Sequence, residues 1–385
     1  MTRSHKPSST GGSLAWLLAN GVILIVILVG LARLDRSSRE HSPGGTSGET
    51  SALEEVRPDW WETRRAIYHE IPTRVLFHLP GGDRSGARSL AESVWSEFDR
   101  IGSIFNSFDP SSEVGRLNDP AQAGRRSVPV SVDLHEVLRL SRQLWEASQG
   151  RFDPTVWPLK ELWHEAVRID QPPSQAQLAE ALASTGLAKL ALPDSHDRGI
   201  DLPPLGLRFD FGGVAKGYAV DCVARLLQAN GVEDALVQLG GEVFAFGDNA
   251  GKAWRVGVQH PRDMRAIWGA ISSAGSIRVS TSGNYRQMLE IDGKTYYHIF
   301  DPRDGRPVST RVLGITTADL EGRASGALLD GAATAITVMG AEAGLAMARQ
   351  LGIEVLILLA DEDDGVREVM TDPLRAHFER MDESP

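Results

Sequence analysis

FDFGGVAKG, residues 209–217, places two adjacent glycines between an apolar, strand-like segment and a helix. A strand is expected to end on Gly212 and Gly213, and a helix to run from about 214 to 229 and stop near Gly231. Glycines lacking Cβ atoms let a ligand approach the backbone closely. The first amides of the following helix favour an anion at the same place. Asp210 and Lys216 flank the turn with opposite charges. The pattern is neither a P-loop nor a full G-x-G-x-x-G. A tight turn without a ligand explains it equally well, so other segments must decide.

Three segments bear on that choice. In LDGAATA (329–335), Asp330 and Thr334 are four residues apart, so a helix points both oxygens from one face. Their small neighbours would bury the carboxylate, and a buried lone charge needs a partner. A carboxylate with a hydroxyl suits Mg²⁺, which takes hard oxygen ligands. A helix cap or a pairing with Lys216 is the alternative. YHIFDPRDGRP (297–307) sets His298 at a strand end before a turn of Asp, Pro and Gly, which can hold an imidazole beside a cleft. STSGNY (280–285) is a polar loop able to bind phosphate or ribose, or to serve only as a turn.

The periodicity elsewhere predicts an α+β body. TRVLFHL (73–79) alternates as a half-buried strand. Residues 87–105 align Leu90, Val94, Trp95, Phe98, Ile101 and Phe105 on one helical face, and 132–148 repeat the pattern behind a Ser131 cap. LVQLGGEVFAFG (236–247) reads as a strand interrupted by a glycine pair, and WRVGV (254–258) as another. YRQMLEI (285–291) turns through Asp292-Gly293 into KTYYHIF (294–300). Helices over about 325–339 and 342–350 precede the strand IEVLILL (353–359). The single cysteine, Cys222, falls among apolar residues as a small core residue.

Charge divides the chain. Residues 1–50 carry five Lys/Arg and three Asp/Glu, or +2, which leaves 35 − 48 = −13 for the rest of the 385 residues. Such an acidic body excludes nucleic acid as a partner, since phosphates need a basic face. Leu14 to Ala32 is an uncharged run of nineteen residues, enough to span about 30 Å of hydrocarbon. No A-x-A site ends it and no cysteine follows it, so an uncleaved anchor is expected rather than a signal peptide. The expected organisation is a short N-terminus (1–13), an anchor (14–32), a flexible tether (33–58), one folded body (59–375) beginning near Trp60 and Trp61, and a polar tail (376–385).

Seven segments in one order resemble the ApbE family of FAD:protein FMN transferases. They are SFDPSSEVGRLN (107–118), SQGRFDPTVWPLKELW (148–163), FDFGGVAKGYAVD (209–221), LGGE (239–242), STSGNYR (280–286), HIFDPRDGRP (298–307) and DGAATAITVMG (330–340). The resemblance implies one composite site and transfer of FMN from FAD to a Thr or Ser hydroxyl of a target protein, with release of AMP. It implies Mg²⁺ on the Gly213 carbonyl, Asp330 and Thr334. Flavin and adenosine contacts would fall at Ile71, Phe108, Arg151, Phe152, Asp153, Asp210, Lys216 and Phe300. His298 would match a required histidine that helps to deprotonate the acceptor or orients the pyrophosphate. The acceptor would be a redox-complex subunit outside the cytoplasm, placing the body on the periplasmic face of the inner membrane.

The chain departs from the family pattern at several points. Ile71 stands where Met is usual, Phe108 where Tyr is usual, and Glu242 makes the usual GGD one methylene longer. The stretch 314–331 is longer than expected and lacks an Ala-Asp pair just before the Asp330 motif. Two other activities would use the same residues: hydrolysis of FAD to FMN and AMP, and flavin binding without catalysis.

Overall fold

The computed structural model describes residues 52–68, 70–192, 198–263, 265–283, 288–363 and 365–381. The expected anchor and most of the tether lie outside these residues, as do Asn284 and Tyr285 of the expected polar loop, whose first four residues belong instead to a strand, Ile277–Gly283. Among the described residues, no helix is long and apolar enough to cross a membrane.

Nine strands form the main sheet: β1 (Ala52–Arg57), β2 (Trp60–Ile67), β3 (Ile71–His78), β4 (Ala235–Leu239), β5 (Glu242–Phe246), β6 (Ile277–Gly283), β7 (Val312–Asp319), β8 (Glu354–Ala360) and β9 (Val366–Met370). Their spatial order follows the chain, and every neighbouring pair is antiparallel. The fold is therefore a long meander with helices and smaller sheets inserted between its strands. Antiparallel sheets often leave one face to water. Here both faces are covered. Val75, Phe77, Val237, Phe244 and Ile357 pack towards the helices. Leu76, Leu236, Val243, Ala245 and Leu358 pack on the other side, against Trp254, Val256 and Ile271 of a three-stranded sheet (Trp254–Gln259, Ile267–Ser273, Phe378–Arg380). Double burial explains why β4, β5 and β8 read as nearly unbroken apolar runs.

The helical layer contains α1 (Arg84–Phe105), α2 (Val132–Ala147), α3 (Trp157–Ile169), α4 (Gln175–Ala183), α5 (Ala215–Ala229), α6 (Gly326–Met339) and α7 (Ala341–Leu351). The apolar face expected of α1 is buried throughout, and the Ser131 hydroxyl accepts the Leu134 amide to cap α2. Asp292 and Gly293 both adopt positive φ, +51° and +67°, as the two-residue hairpin turn between Met288–Ile291 and Lys294–Tyr297 requires.

Several boundaries differ from those expected. FDFGG is not a strand: the Phe209 amide and carbonyl both bond the Asn118 side chain, at 2.6 and 2.9 Å, and no neighbouring strand pairs with it. Residues 236–247 are not one interrupted strand. Gly240, at φ +61°, reverses the chain so that β4 and β5 pair with each other. The tether expected through residue 58 overlaps β1, which pairs along β2, so the folded body begins before Asp59. The tail expected from 376 likewise contains Phe378–Arg380, a strand bonded to Ile267–Ser273.

Glycine sets how closely α5 and α6 cross. A Cβ on Gly217 would lie 2.2 Å from the Gly326 carbonyl oxygen, and one on Gly331 would lie 2.2 Å from Leu144 of α2. Because the first obstacle is backbone, rotamer changes cannot relieve it. Gly217→Ala is expected to destabilise the protein by about 1–3 kcal/mol through overpacking. A thermal unfolding midpoint equal to wild type would contradict this account of the crossing.

Candidate active site

The segment before α5 is held from both sides. Phe209 and Phe211 are fully buried and stacked, their centroids 5.7 Å apart. Asp210, between them, turns the other way. Its carboxylate accepts the Lys160 ammonium of α3 at 2.8 Å and the Gly212 amide at 3.0 Å. Burial works against its ionisation, but the Lys160 charge and hydrogen bond, the Gly212 amide and the Lys216 charge together outweigh burial, so the carboxyl lies below its ordinary range. A Cβ on Gly213 would stand 3.1 Å from the Thr334 hydroxyl and 3.4 Å from the Phe152 ring. Gly213, Thr334 and Phe152 thus meet at one point.

Beside it lies a buried charge cluster. Lys216 donates to both oxygens of Asp330, at 2.9 and 3.0 Å, and to the Gly212 carbonyl at 3.0 Å. Its ammonium is also 3.2 Å from Glu242 of β5. Asp330 is 1% exposed and Glu242 3%. Burial disfavours the ammonium, yet the two carboxylates outweigh it and raise the Lys216 pKa above that of an ordinary lysine. Burial pushes the Glu242 carboxyl up to about 7, and the charge of Asp330 adds to the rise while Lys216 opposes it. One Glu242 oxygen, Oε2, has no hydrogen-bond partner, nor does Oγ of Ser280, the residue opposite Glu242 on β6.

The anion-binding amides expected at the α5 N-terminus serve the protein itself. Those of Val214 and Ala215 return to the Phe211 carbonyl, and that of Gly217 donates to Asp330 at 3.1 Å. The anion at this helix end is therefore the Asp330 carboxylate. The pairing with Lys216 left open by the sequence is present. It does not displace Thr334, whose hydroxyl remains beside Gly213.

An aromatic flank continues from Lys160. The Phe108 ring is 53% exposed, lies edge-on to Trp157 at 5.0 Å, and has the Lys160 ammonium 4.8 Å from its centroid. Phe300 is buried and stacks on Trp163 at 6.1 Å. The loop carrying it is fixed to α3 by the Trp163 indole, which donates to the Gly305 carbonyl. His298 is half-buried in the bend after Lys294–Tyr297. Ile71 lies against the β4–β5 turn that leads into Glu242, since a Cβ on Gly240 would lie 2.9 Å from its side chain. Arg151, half-buried, donates to the Ser148 carbonyl.

Asp153 has an internal role. Its oxygens accept the Thr155 amide and hydroxyl and the Leu187 amide, at 2.8, 2.5 and 2.8 Å, and burial raises its pKa. It ties the turn carrying Arg151 and Phe152 to the chain near Leu187. Gly213, Lys216, Asp330, Thr334, Phe152 and Asp210 thus form one neighbourhood. Phe108 joins it through Lys160, and Ile71 through the β4–β5 turn.

Three residues of this neighbourhood were not expected there: Lys160, Glu242 and Ser280. Each lay inside a motif already noted. The clearest signal was Glu242, a charged residue following Gly-Gly at the head of the apolar run VFAF.

The site thus sets an acidic centre of hard oxygens, partly neutralised by one lysine, within an α+β fold. The chain belongs to the ApbE family, whose model matches residues 69–357. It is 33% identical to the FAD:protein FMN transferase of Vibrio cholerae over 286 residues, 72% of this chain and 82% of that protein. The Escherichia coli K12 protein of the same name is 31% identical over 295 residues, covering 74% and 81%. The solved flavin transferase ApbE from Vibrio cholerae matches with a TM-score of 0.69 and 28% identity, over 85% of this chain and all of that one. The apo flavinyl transferase ApbE from Pseudomonas stutzeri matches at 0.70 and 28%, over 85% and 97%.

Proposed function

We propose that this chain moves FMN from FAD onto a Thr or Ser hydroxyl of a protein acceptor, releasing AMP, with Mg²⁺ held by Asp330, Thr334 and the Gly213 carbonyl. The observation that carries the proposal is the buried cluster of Asp330, Glu242 and Lys216 beside Gly213 and Thr334. Two carboxylates face one ammonium, and one carboxylate oxygen has no partner, so the donor set is short of positive charge. Hard oxygens with unmet charge suit Mg²⁺. When bound, the ion would supply charge stabilisation at the phosphoryl oxygens.

The chain's own residues take the remaining roles. Lys160 offers its ammonium to phosphate oxygens, Lys216 lends positive charge from within the cluster, and Phe108 offers its half-exposed ring to the flavin or adenine. His298 accepts the proton of the acceptor hydroxyl as its oxygen bonds to the FMN phosphorus. The bond from that phosphorus to the bridging oxygen breaks, and AMP departs with the electron pair. The remaining flavin contacts would be Ile71, Arg151, Phe152, Asp210 and Phe300, with Asp153 holding their turn in place.

Residues 14–32 would anchor the body in the inner membrane with the N-terminus inside and the body on the periplasmic side. The acceptor would then be an extracytoplasmic redox-complex subunit bearing an exposed Thr or Ser. To test the function, the detergent-solubilised full chain is incubated with FAD, Mg²⁺ and an acceptor, and AMP is compared with protein-bound flavin. Equal amounts are expected. AMP matched by free FMN without adduct would indicate hydrolysis, and unchanged FAD would indicate binding alone. Extraction of membranes at alkaline pH tests the anchor, and release of the chain into the supernatant would contradict it.

A further inference from the structure

The Lys216 ammonium sits on both oxygens of the carboxylate assigned above to Mg²⁺. The Gly217 amide takes a further position on Asp330 Oδ2. A divalent cation competes with the ammonium for that carboxylate, because the two positive charges repel at such separations. The ammonium therefore needs somewhere else to go. Glu242 Oε1 already lies 3.2 Å from it, and Oε2 of the same carboxylate is buried without a partner. The Ser280 hydroxyl, on the strand opposite, is also without one. An unused carboxylate oxygen beside a shared ammonium is costly to bury unless some state of the protein uses it, and the Ser280 hydroxyl favours the ionised form of that carboxylate.

We propose that Glu242, supported by Ser280, is the second seat of Lys216: as the cation takes Asp330, the ammonium moves fully onto Glu242. Glu242 is thus a positioning residue that sets metal affinity without being a metal ligand. This inference rests on the metal assignment made above. The charges are consistent with it. With both carboxylates ionised, Asp330, Glu242 and Lys216 together carry −1, and a divalent ion, which favours that ionised state, brings the cluster to +1. Without the Glu242 charge the same step ends at +2, and the displaced ammonium has no carboxylate to receive it.

The test is calorimetric titration of the full chain with Mg²⁺ alone, without FAD. Glu242→Gln is expected to weaken binding by about 10- to 100-fold, the usual effect of removing a partner behind a metal ligand. Glu242→Asp, which keeps the charge, should stay within a few-fold of wild type, so shape alone would not explain the loss. Wild-type affinity in Glu242→Gln, together with lost binding in Asp330→Asn, would overturn this inference and leave the metal assignment intact. Undiminished binding in Asp330→Asn would overturn both. Unfolding temperatures of the metal-free variants show that each remains folded.

Discussion

In Asp330→Asn, flavin transfer is expected to fall by about 10³-fold while the protein still folds. Removing the charge takes away the one carboxylate among the proposed metal donors. Losing electrostatic stabilisation of a developing phosphoryl charge is worth several kcal/mol, and about 4 kcal/mol corresponds to 10³-fold in rate. Removing one partner of a buried pair costs about 3–5 kcal/mol when it leaves a charge uncompensated. Lys216 would not be left so, since it keeps Glu242 at 3.2 Å and the Gly212 carbonyl at 3.0 Å. One ammonium would face one carboxylate, and the amide preserves the shape of the site. The check is the transfer rate at saturating Mg²⁺ alongside a thermal unfolding curve. A folded Asp330→Asn protein with near wild-type transfer would show that the metal is held elsewhere.

The second large effect is expected in His298→Ala. A positioned general base typically contributes about 10²–10⁴-fold, so transfer should slow by that factor. His298 follows a hairpin seated on α3 and precedes a loop that the Trp163 indole fixes. It is a side chain on a supported bend, not part of the core, so its removal should leave the unfolding temperature and the FAD affinity nearly unchanged. A variant that binds FAD normally and transfers it at the wild-type rate would remove His298 from the mechanism. A large loss of FAD affinity would instead assign it to the pyrophosphate.

What the sequence disclosed and what it hid have physical causes. Helices α1 and α2 were readable because each turns one apolar stripe inward, and the Asp-Gly hairpin because its φ angles demand those residues. FDFGG misled because alternating buried aromatics resemble a strand, whereas its backbone is satisfied by the side chain of Asn118, ninety-one positions away. No local pattern records such a partner. The segments 52–57 and 378–380 were taken for tether and tail because short edge strands facing solvent are rich in charge. Asp330 and Thr334 were legible as one pair from their spacing and small neighbours, whereas Gly213 was joined to them only by the family resemblance. Glu242 was noted only as a longer version of a family motif, because its burial depends on a sheet covered on both faces. Lys160 was hidden within α3, where a lysine between tryptophans looks like an ordinary solvated position.

The most direct test of the central claim follows the acceptor itself. Full-length protein, FAD and an acceptor domain with an exposed threonine are incubated with Mg²⁺, then with a chelator, then with Mg²⁺ restored. The mass of the intact acceptor is measured at each stage. An FMN adduct that forms with Mg²⁺, stops accumulating under chelation, resumes on restoration and is missing in Asp330→Asn is the predicted result. An adduct that forms equally well throughout, or in the Asp330→Asn protein, would contradict the assignment of the chemistry to this acidic centre.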